Sequence, residues 1–506
     1  MAKNIMIQGT MSGVGKSILT AGILRALRQD GYRVAPFKSQ NMALNSYVTK
    51  DGKEIGRAQA LQAFAAGMEP SSDMNPILLK PMGDTTSQVI VNGLPVANMK
   101  AADYFKKKTS FIPDIKEAYE RLSKEAEIIV IEGAGSPVEI NLRENDIVNM
   151  GLAEILDAPV LLAGNIDPGG VFAQLLGTIN LLSEDERKRV KGLIINKFRG
   201  DKALLMPGLE MFKAYSDIPF AGVVPFVTLD LDEEDSVSER LKINNKGSIK
   251  DLDDGDALEG HCGLYGEDKS LKISVIRLPF ISNYTDFSIF DSMPFVELRY
   301  VNEPKGLEGT DLIILPGTKN TISDLKWLKK QRLFDRIKEL SYDGTPVIGI
   351  CGGFQMMGEN ISDPEGLEGG GATEGLELLP VKTRFFEQKN LRQVQGRVGE
   401  LTGLFKPLSN EEVKGYEIHM GETISDQDIF PVIASENNLG TYIHGIFDSP
   451  EFTQKLFEIL YDKKGLKKAI PVMESASVIR ERELDKLADV LRENLDFELI
   501  YEAIGL

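Results

Sequence analysis

Cysteine is nearly absent: the 506 residues hold two, Cys262 and Cys351. Two cysteines cannot build a disulfide framework, and a reducing, cytoplasmic setting is the expectation. Histidine is almost as scarce, at His261, His419 and His444, so any imidazole chemistry must draw on three side chains. No stretch reaches the ~18 uninterrupted apolar residues of a membrane-spanning helix, and no membrane partner is expected. The opening Met1-Ala2-Lys3-Asn4-Ile5 has one basic side chain and a short apolar run before Gln8, which does not fit a signal peptide. Basic residues are outnumbered 58 to 76, for a net charge of −18. A chain this acidic does not attract a phosphate backbone, so nucleic acid is not an expected partner. An anionic substrate must then be met by local lysines or arginines.

Hydrophobic residues make up 42% and charged residues 26%, the mixture of an ordinary folded chain. At roughly 150 residues per domain, the length predicts two to four domains. Asn4–Gln8 reads as a strand and Ser17–Arg28 as a helix, with Ile18, Leu19, Ile23, Leu24 and Leu27 at helical spacing and Gly31 just beyond. Further strands are predicted at Ile128–Ile131, Pro159–Leu162, Gly192–Ile195, Ile273–Ile276, Asp311–Leu315 and Pro346–Ile350. Several are continuous and β-branched, as in parallel strands covered on both faces. The fold class expected is α/β with helices on mostly parallel sheets. Residues 230–259 are acidic and rich in Gly and Ser, and a new strand pattern opens at Leu271. The predicted layout is a first domain over 1–240, an acidic connector over 241–270, a second domain over 271–455 and a helical extension over 456–506.

Gly9-Thr10-Met11-Ser12-Gly13-Val14-Gly15-Lys16-Ser17 follows the first strand and opens the first helix. Gly9, Gly13 and Gly15 let the backbone curl so that successive N–H groups, including those of Thr10 and Val14, point at phosphate oxygens. Lys16 would bridge the β- and γ-phosphates of ATP, and the Ser17 hydroxyl would hold Mg²⁺. The spacing is one residue longer than G-x4-G-K-[ST]. Glu132 follows another strand and precedes Gly133. Alone it would read as a polar strand end, but beside the loop it becomes the candidate second Mg²⁺ ligand. Asn196 ends a further strand and either edges the adenine pocket or marks a plain strand-to-turn junction.

Val347-Ile348-Gly349-Ile350-Cys351-Gly352-Gly353-Phe354 is a buried strand, a cysteine and a glycine-led helix start. A nucleophile elbow needs that pattern: small neighbours permit the sharp turn, and the helix N-terminus favours thiolate. The Gly352 N–H could stabilise an oxyanion. Cys262 has no strand before it, and His261-Cys262 is weak evidence for metal. A thiolate needs a base. His419 and His444 both qualify, and local sequence does not separate them.

The long phosphate loop resembles that of dethiobiotin synthetase and related amidases, where G-T-x-[ST]-x-V-G-K-[ST] binds ATP. Residues 271–455 resemble a class I (triad) glutamine amidotransferase, a flavodoxin-like domain. The resemblance makes Leu315-Pro316-Gly317-Thr318-Lys319 the oxyanion loop, with Gly317 beside Gly352, Cys351 the nucleophile and His444 the base. Most such domains have Glu two residues after the histidine; Ile446 stands there here, as in the cobalamin-pathway amidotransferases. Across nearly the whole chain the sequence resembles the cobyric acid synthase family. The segments that carry this include Lys38-Ser39-Gln40-Asn41-Met42-Ala43-Leu44-Asn45-Ser46, Glu54–Ala60, Met74–Pro81, Gly133–Leu142, Arg277-Leu278-Pro279, Ser282–Phe287 and Gly415–Gly421. One departure is Pro168, where relatives usually have Arg.

The resemblance implies ATP- and glutamine-dependent amidation of the b, d, e and g carboxylates of adenosylcobyrinic acid a,c-diamide, with acyl-phosphate activation and an enclosed ammonia route. Lys38, Asn41, Asn45 and Lys80 are the candidate corrinoid contacts, although an ordinary turn or surface role fits each taken singly. Amidation at four positions calls for rebinding in several orientations, and an open, wet pocket is expected. Two alternatives use the same parts differently: a cobyrinic acid a,c-diamide synthase, and a P-loop switch or partitioning ATPase with a non-catalytic C-terminal domain. Oligomeric state is not legible.

Overall fold

The computed structural model describes residues 2–82, 85–231, 271–368, 370–467 and 470–506. The predicted acidic connector, His261 and Cys262 lie outside these residues. The chain forms two compact units, 1–235 with 479–506, and 236–478.

The first unit is built on a six-stranded, all-parallel sheet. Its strands are β1 (Lys3–Gly9), β2 (Val34–Phe37), β9 (Ile128–Glu132), β10 (Val160–Asn165), β11 (Val190–Phe198) and β12 (Phe220–Pro225), in the order β12-β11-β10-β1-β9-β2. Every residue of β9 is buried and β1 is buried from Ile5 onward, the pattern of strands covered on both faces. Between β2 and β9 the chain adds β3 (Gln40–Met42), β4 (Ser46–Val48), β5 (Glu54–Gly56), β6 (Ile77–Pro81), β7 (Thr86–Val91) and β8 (Leu94–Lys100). These make a four-stranded sheet, β3-β6-β7-β8, and the small β4-β5 ladder.

The predicted extension over 456–506 divides. The helix Pro450–Lys464 packs in the second unit, whereas 479–506 belongs to the first. Leu487 and Leu491 of the helix Ala476–Asn494 lie so close to Gly22 that a Cβ there would come within 2.4 Å of Leu491. Burying each leucine contributes about 1.5–3 kcal/mol, and Arg25 pairs with Glu481 and Asp485 beside them. Gly22, buried on the first helix, is where the chain's end packs.

The second unit contains β13 (Leu271–Ile276), β14 (Val296–Val301), β15 (Leu312–Leu315), β16 (Val347–Ile350), β21 (Ile433–Ser435) and β22 (Asn438–Thr441) in one sheet ordered β14-β13-β15-β16-β22-β21. Its parallel part follows the 2-1-3-4-5 order of flavodoxin-like folds. A second sheet, β18-β17-β19-β20-β23, is formed by β17 (Asn360–Asp363), β18 (Gly371–Glu374), β19 (Lys382–Arg397), β20 (Glu412–Ile424) and β23 (Ile443–His444). In both units the functional turns leave the C-terminal ends of parallel strands, where open α/β sheets bind ligands.

Candidate active sites

The loop after β1 is shaped by Gly13 at φ 74° and Gly15 at φ 88°, left-handed values that favour glycine. Gly9 needs to lack a Cβ, which would lie 2.4 Å from the Val14 side chain. Val14 is fully buried, and its carbonyl accepts the Asn196 Nδ2 hydrogen at 2.8 Å. Asn196 therefore braces the loop from β11. Thr10 N donates to Ala163 O at 2.9 Å, fixing the loop to β10. Lys16 opens the helix Lys16–Gln29, and its Nζ donates to Met11 O at 3.1 Å and Gly135 O at 3.2 Å.

Ser17 Oγ donates to Glu132 Oε1 at 2.9 Å across the loop. Glu132 is buried. Burial alone would favour its neutral acid, but the Lys38 ammonium at 2.8 Å and hydrogen bonds from Gln62 and Ser17 hold the carboxyl below its ordinary range. Gln62 Nε2 reaches Glu132 Oε2 at 2.5 Å, and Asn41 donates to Gln59 Oε1 at 3.0 Å. Gln59 and Gln62 sit one turn apart on the helix Arg57–Ala66, on the face toward Glu132. No role was expected for either, since a glutamine in a helical pattern carries no local signal. Two hard oxygen donors, Ser17 Oγ and Glu132, converge as a Mg²⁺ ion on phosphates requires.

The other expected substrate contacts divide. Lys38 and Asn41 belong to the Glu132 network. Asn45 is buried, with Oδ1 lacking a hydrogen-bond partner among the described residues. Lys80 is turned inward: its ammonium meets Glu54 and donates to Ser46 Oγ at 2.7 Å, joining β6 to β4 and β5. The ammonium expected at a substrate is committed inside the protein. Pro168 lies exposed in the turn before the helix Val171–Leu181.

In the second unit Cys351 stands between β16 and the helix Gly352–Met357, at φ 53° and ψ −110°. A non-glycine residue in that region is strained, as a nucleophile elbow requires. Its N–H donates to Thr441 O at 2.8 Å and its carbonyl accepts Gln355 N at 3.0 Å, so both flanks hold the turn. Small neighbours are obligatory: a Cβ at Gly353 would lie 2.0 Å from Leu315 O, and one at Gly352 would lie 2.7 Å from Thr318 Cγ2 and 3.2 Å from Thr318 N. The Gly317–Thr318 backbone thus runs against the start of the cysteine helix.

His444, fully buried on β23, faces this turn. A Cβ on Gly317 would come within 3.0 Å of its Cε1, its Nε2 lies 3.2 Å from Asn283 Nδ2, and the Cys351 thiol donates to Ile418 O at 3.5 Å. Its Nδ1 lies 2.7 Å from Asp286 Oδ2, and Asp286 Oδ1 accepts Gly445 N at 2.9 Å. Burial would lower the imidazole's pKa, but Asp286 and then the cysteine raise it to about 9. Ile446 is fully buried in the core, so Asp286 supplies the carboxylate that position lacks. Asp286 was missed as a functional residue; it lies inside Ser282–Phe287, but nothing local marks it as the partner of a histidine far along the chain. His419 is stacked on Tyr442 at 3.7 Å between ring centres, its Nε2 lies 3.9 Å from Glu417, and its Nδ1 has no hydrogen-bond partner among the described residues. The arrangement suits a cysteine nucleophile, a buried base and a carboxylate that orients it.

No helix among the described residues is long and apolar enough to cross a membrane. A family model described as a CobQ/CobB/MinD/ParA nucleotide binding domain matches residues 5–236, and one described as a CobB/CobQ-like glutamine amidotransferase domain matches 272–452. The chain is 48% identical to a cobyric acid synthase of Ruminiclostridium cellulolyticum, over 100% of this chain and 97% of that protein. It is 48% identical to one from Lachnoclostridium phytofermentans, over 99% of each. A third, from Clostridium botulinum, is 47% identical over 100% of both chains.

Proposed function

The chain belongs to the cobyric acid synthase family, and from that premise we propose that it amidates the b, d, e and g carboxylates of adenosylcobyrinic acid a,c-diamide. It is a glutamine-dependent carbon–nitrogen ligase with a nucleotide-binding domain and a glutamine amidotransferase domain. In the proposed reaction the Cys351 thiolate attacks the glutamine side-chain carbonyl. The backbone N–H groups of Gly352 and the Gly317 loop steady the oxyanion. His444 gives a proton to the leaving ammonia and then takes one from the water that opens the thioester, releasing glutamate.

In the nucleotide-binding domain a corrinoid carboxylate attacks the γ-phosphorus of ATP, and ADP leaves. Ammonia attacks the resulting acyl phosphate, and inorganic phosphate leaves as the amide forms. Activation is required because a bare carboxylate is a poor electrophile. Thr10, Gly13, Val14 and Gly15 would present N–H groups to the phosphates, and Lys16 would exchange its two carbonyl contacts for phosphate oxygens. Ser17 and Glu132 would hold Mg²⁺, which when bound neutralises phosphate charge. Lys38 lies close enough to Glu132 to screen the incoming carboxylate.

The observation that carries this reading is the buried His444–Asp286 pair beside the strained Cys351 turn, for which a nucleotide switch has no use. The test is product mass: four added amides support the proposal, and two would support the a,c-diamide synthase alternative instead.

A further inference from the structure

A cavity of about 450 Å³ opens beside the phosphate loop in the first unit. One wall is the segment 134–137, and the Gly135 carbonyl in that wall is the same one that Lys16 Nζ contacts. Asn149 holds the wall rigid, donating to Ala134 O at 2.6 Å and Ser136 O at 3.2 Å and accepting from Ala134 N at 3.0 Å. The opposite wall comes from β3, β8 and the helix Ala101–Lys107, where Tyr104 OH donates to Gln40 Oε1 at 2.6 Å. Gln40 precedes Asn41 of the Glu132 network, so both walls reach the candidate phosphoryl-transfer site.

Most of the exposed lining is apolar. Met42, Leu79, Met99, Phe105, Pro137 and Leu142 contribute to it. Met42 is 61% exposed and Leu142 44% exposed. Large apolar side chains left in water around one concavity mark a surface that meets an apolar ligand. Two cations line the same space. Arg143 is held by Glu186. The Lys108 ammonium lies 4.4 Å from the centre of the Phe105 ring and makes no ion pair or hydrogen bond among the described residues. Burial lowers its pKa despite the pull of Asp146. The Asp146 carboxylate is itself committed to the N–H groups of Val148, Asn149 and Gly151.

We propose that this cavity seats the apolar body of the carboxylate-fringed macrocycle, with one peripheral carboxylate against Lys108 and another directed past Gly135 to the phosphate loop. The inference rests on the proposed function and locates its substrate. A cavity of this size, within the ~300–1,000 Å³ of ligand pockets, takes one edge of such a ring and leaves the rest outside. The ring can then leave, turn and present a different arm to the same loop.

The test is equilibrium dialysis of adenosylcobyrinic acid a,c-diamide against the full chain, without turnover. Lys108→Glu and Met42→Asp should each weaken binding about tenfold or more, equal to about 1.4 kcal/mol, with ATP affinity and thermal midpoint unchanged. Leu204→Asp, at an 83% exposed apolar residue outside the cavity lining, should leave binding as it was. Undiminished corrinoid binding in both cavity variants overturns the proposal. If the variants lose binding but the native protein forms no amide on the bound corrinoid, the cavity assignment stands and the functional reading fails.

Discussion

Asp286 Oδ2 sits 2.7 Å from His444 Nδ1, and the two residues are 158 positions apart. The carboxylate does two things at once: it fixes the ring tautomer through Nδ1 and grips the next residue through Gly445 N–H. The segment that carries it is locked to the oxyanion loop, since Ser282 N donates to Gly317 O at 2.9 Å and Lys319 N to Phe280 O at 3.0 Å. Positioning of the candidate base and shaping of the candidate oxyanion site are therefore coupled through one stretch of backbone.

Asp286→Asn should lower glutaminase activity by roughly 10²–10⁴-fold, the cost of mis-orienting a catalytic imidazole. Amidation supported by an ammonium salt should survive. Steady-state glutamate release beside ammonia-dependent amide formation checks both halves.

The raised His444 pKa makes stability depend on pH in a set direction. With a folded value of about 9 against an ordinary 6.5, the pair's contribution is fully present below about pH 6.5 and is lost as pH rises through about 9. The native protein should melt well above Asp286→Asn at pH 6.5, by on the order of a few kcal/mol, and the gap should narrow toward pH 9.5. Paired thermal melts across that range measure it.

Much of this architecture was legible because local sequence encodes it. Ile128–Ile131 reads as a buried parallel strand from its unbroken β-branched run and Pro346–Ile350 from its short apolar one, and the loop from Gly9 to Ser17 and the turn at Cys351 carry their geometry in their glycines. What stayed hidden depends on partners distant in sequence. Asp286 meets His444 only once β23 is placed, Lys80 looks like a surface cation until Glu54 folds over it, and the helix from Ala476 gives no sign that Gly22 is its seat. The sheets of β3–β8 and β17–β20 were also missed, since strands such as β8 and β19 carry many exposed residues and lack the continuous apolar pattern.

Glu132→Gln should abolish amide formation from either nitrogen source, because it removes the candidate metal carboxylate and leaves the buried Lys38 ammonium without its counter-charge. Losing one partner of a buried pair costs about 3–5 kcal/mol, so the thermal midpoint should fall as well. Glutaminase activity of the same sample, through Cys351, should persist. Midpoint, amide yield and glutamate release together test the assignment.

Cys351→Ala and Lys16→Ala, each assayed for corrinoid amide formation with glutamine and again with an ammonium salt, address the central claim most directly. Nitrogen release and carboxylate activation are assigned to separate sites, so the cysteine variant should be inert with glutamine and active with ammonium. The lysine variant should be inert with both. Glutamine-supported amidation by Cys351→Ala, or ammonium-supported amidation by Lys16→Ala, would contradict the account.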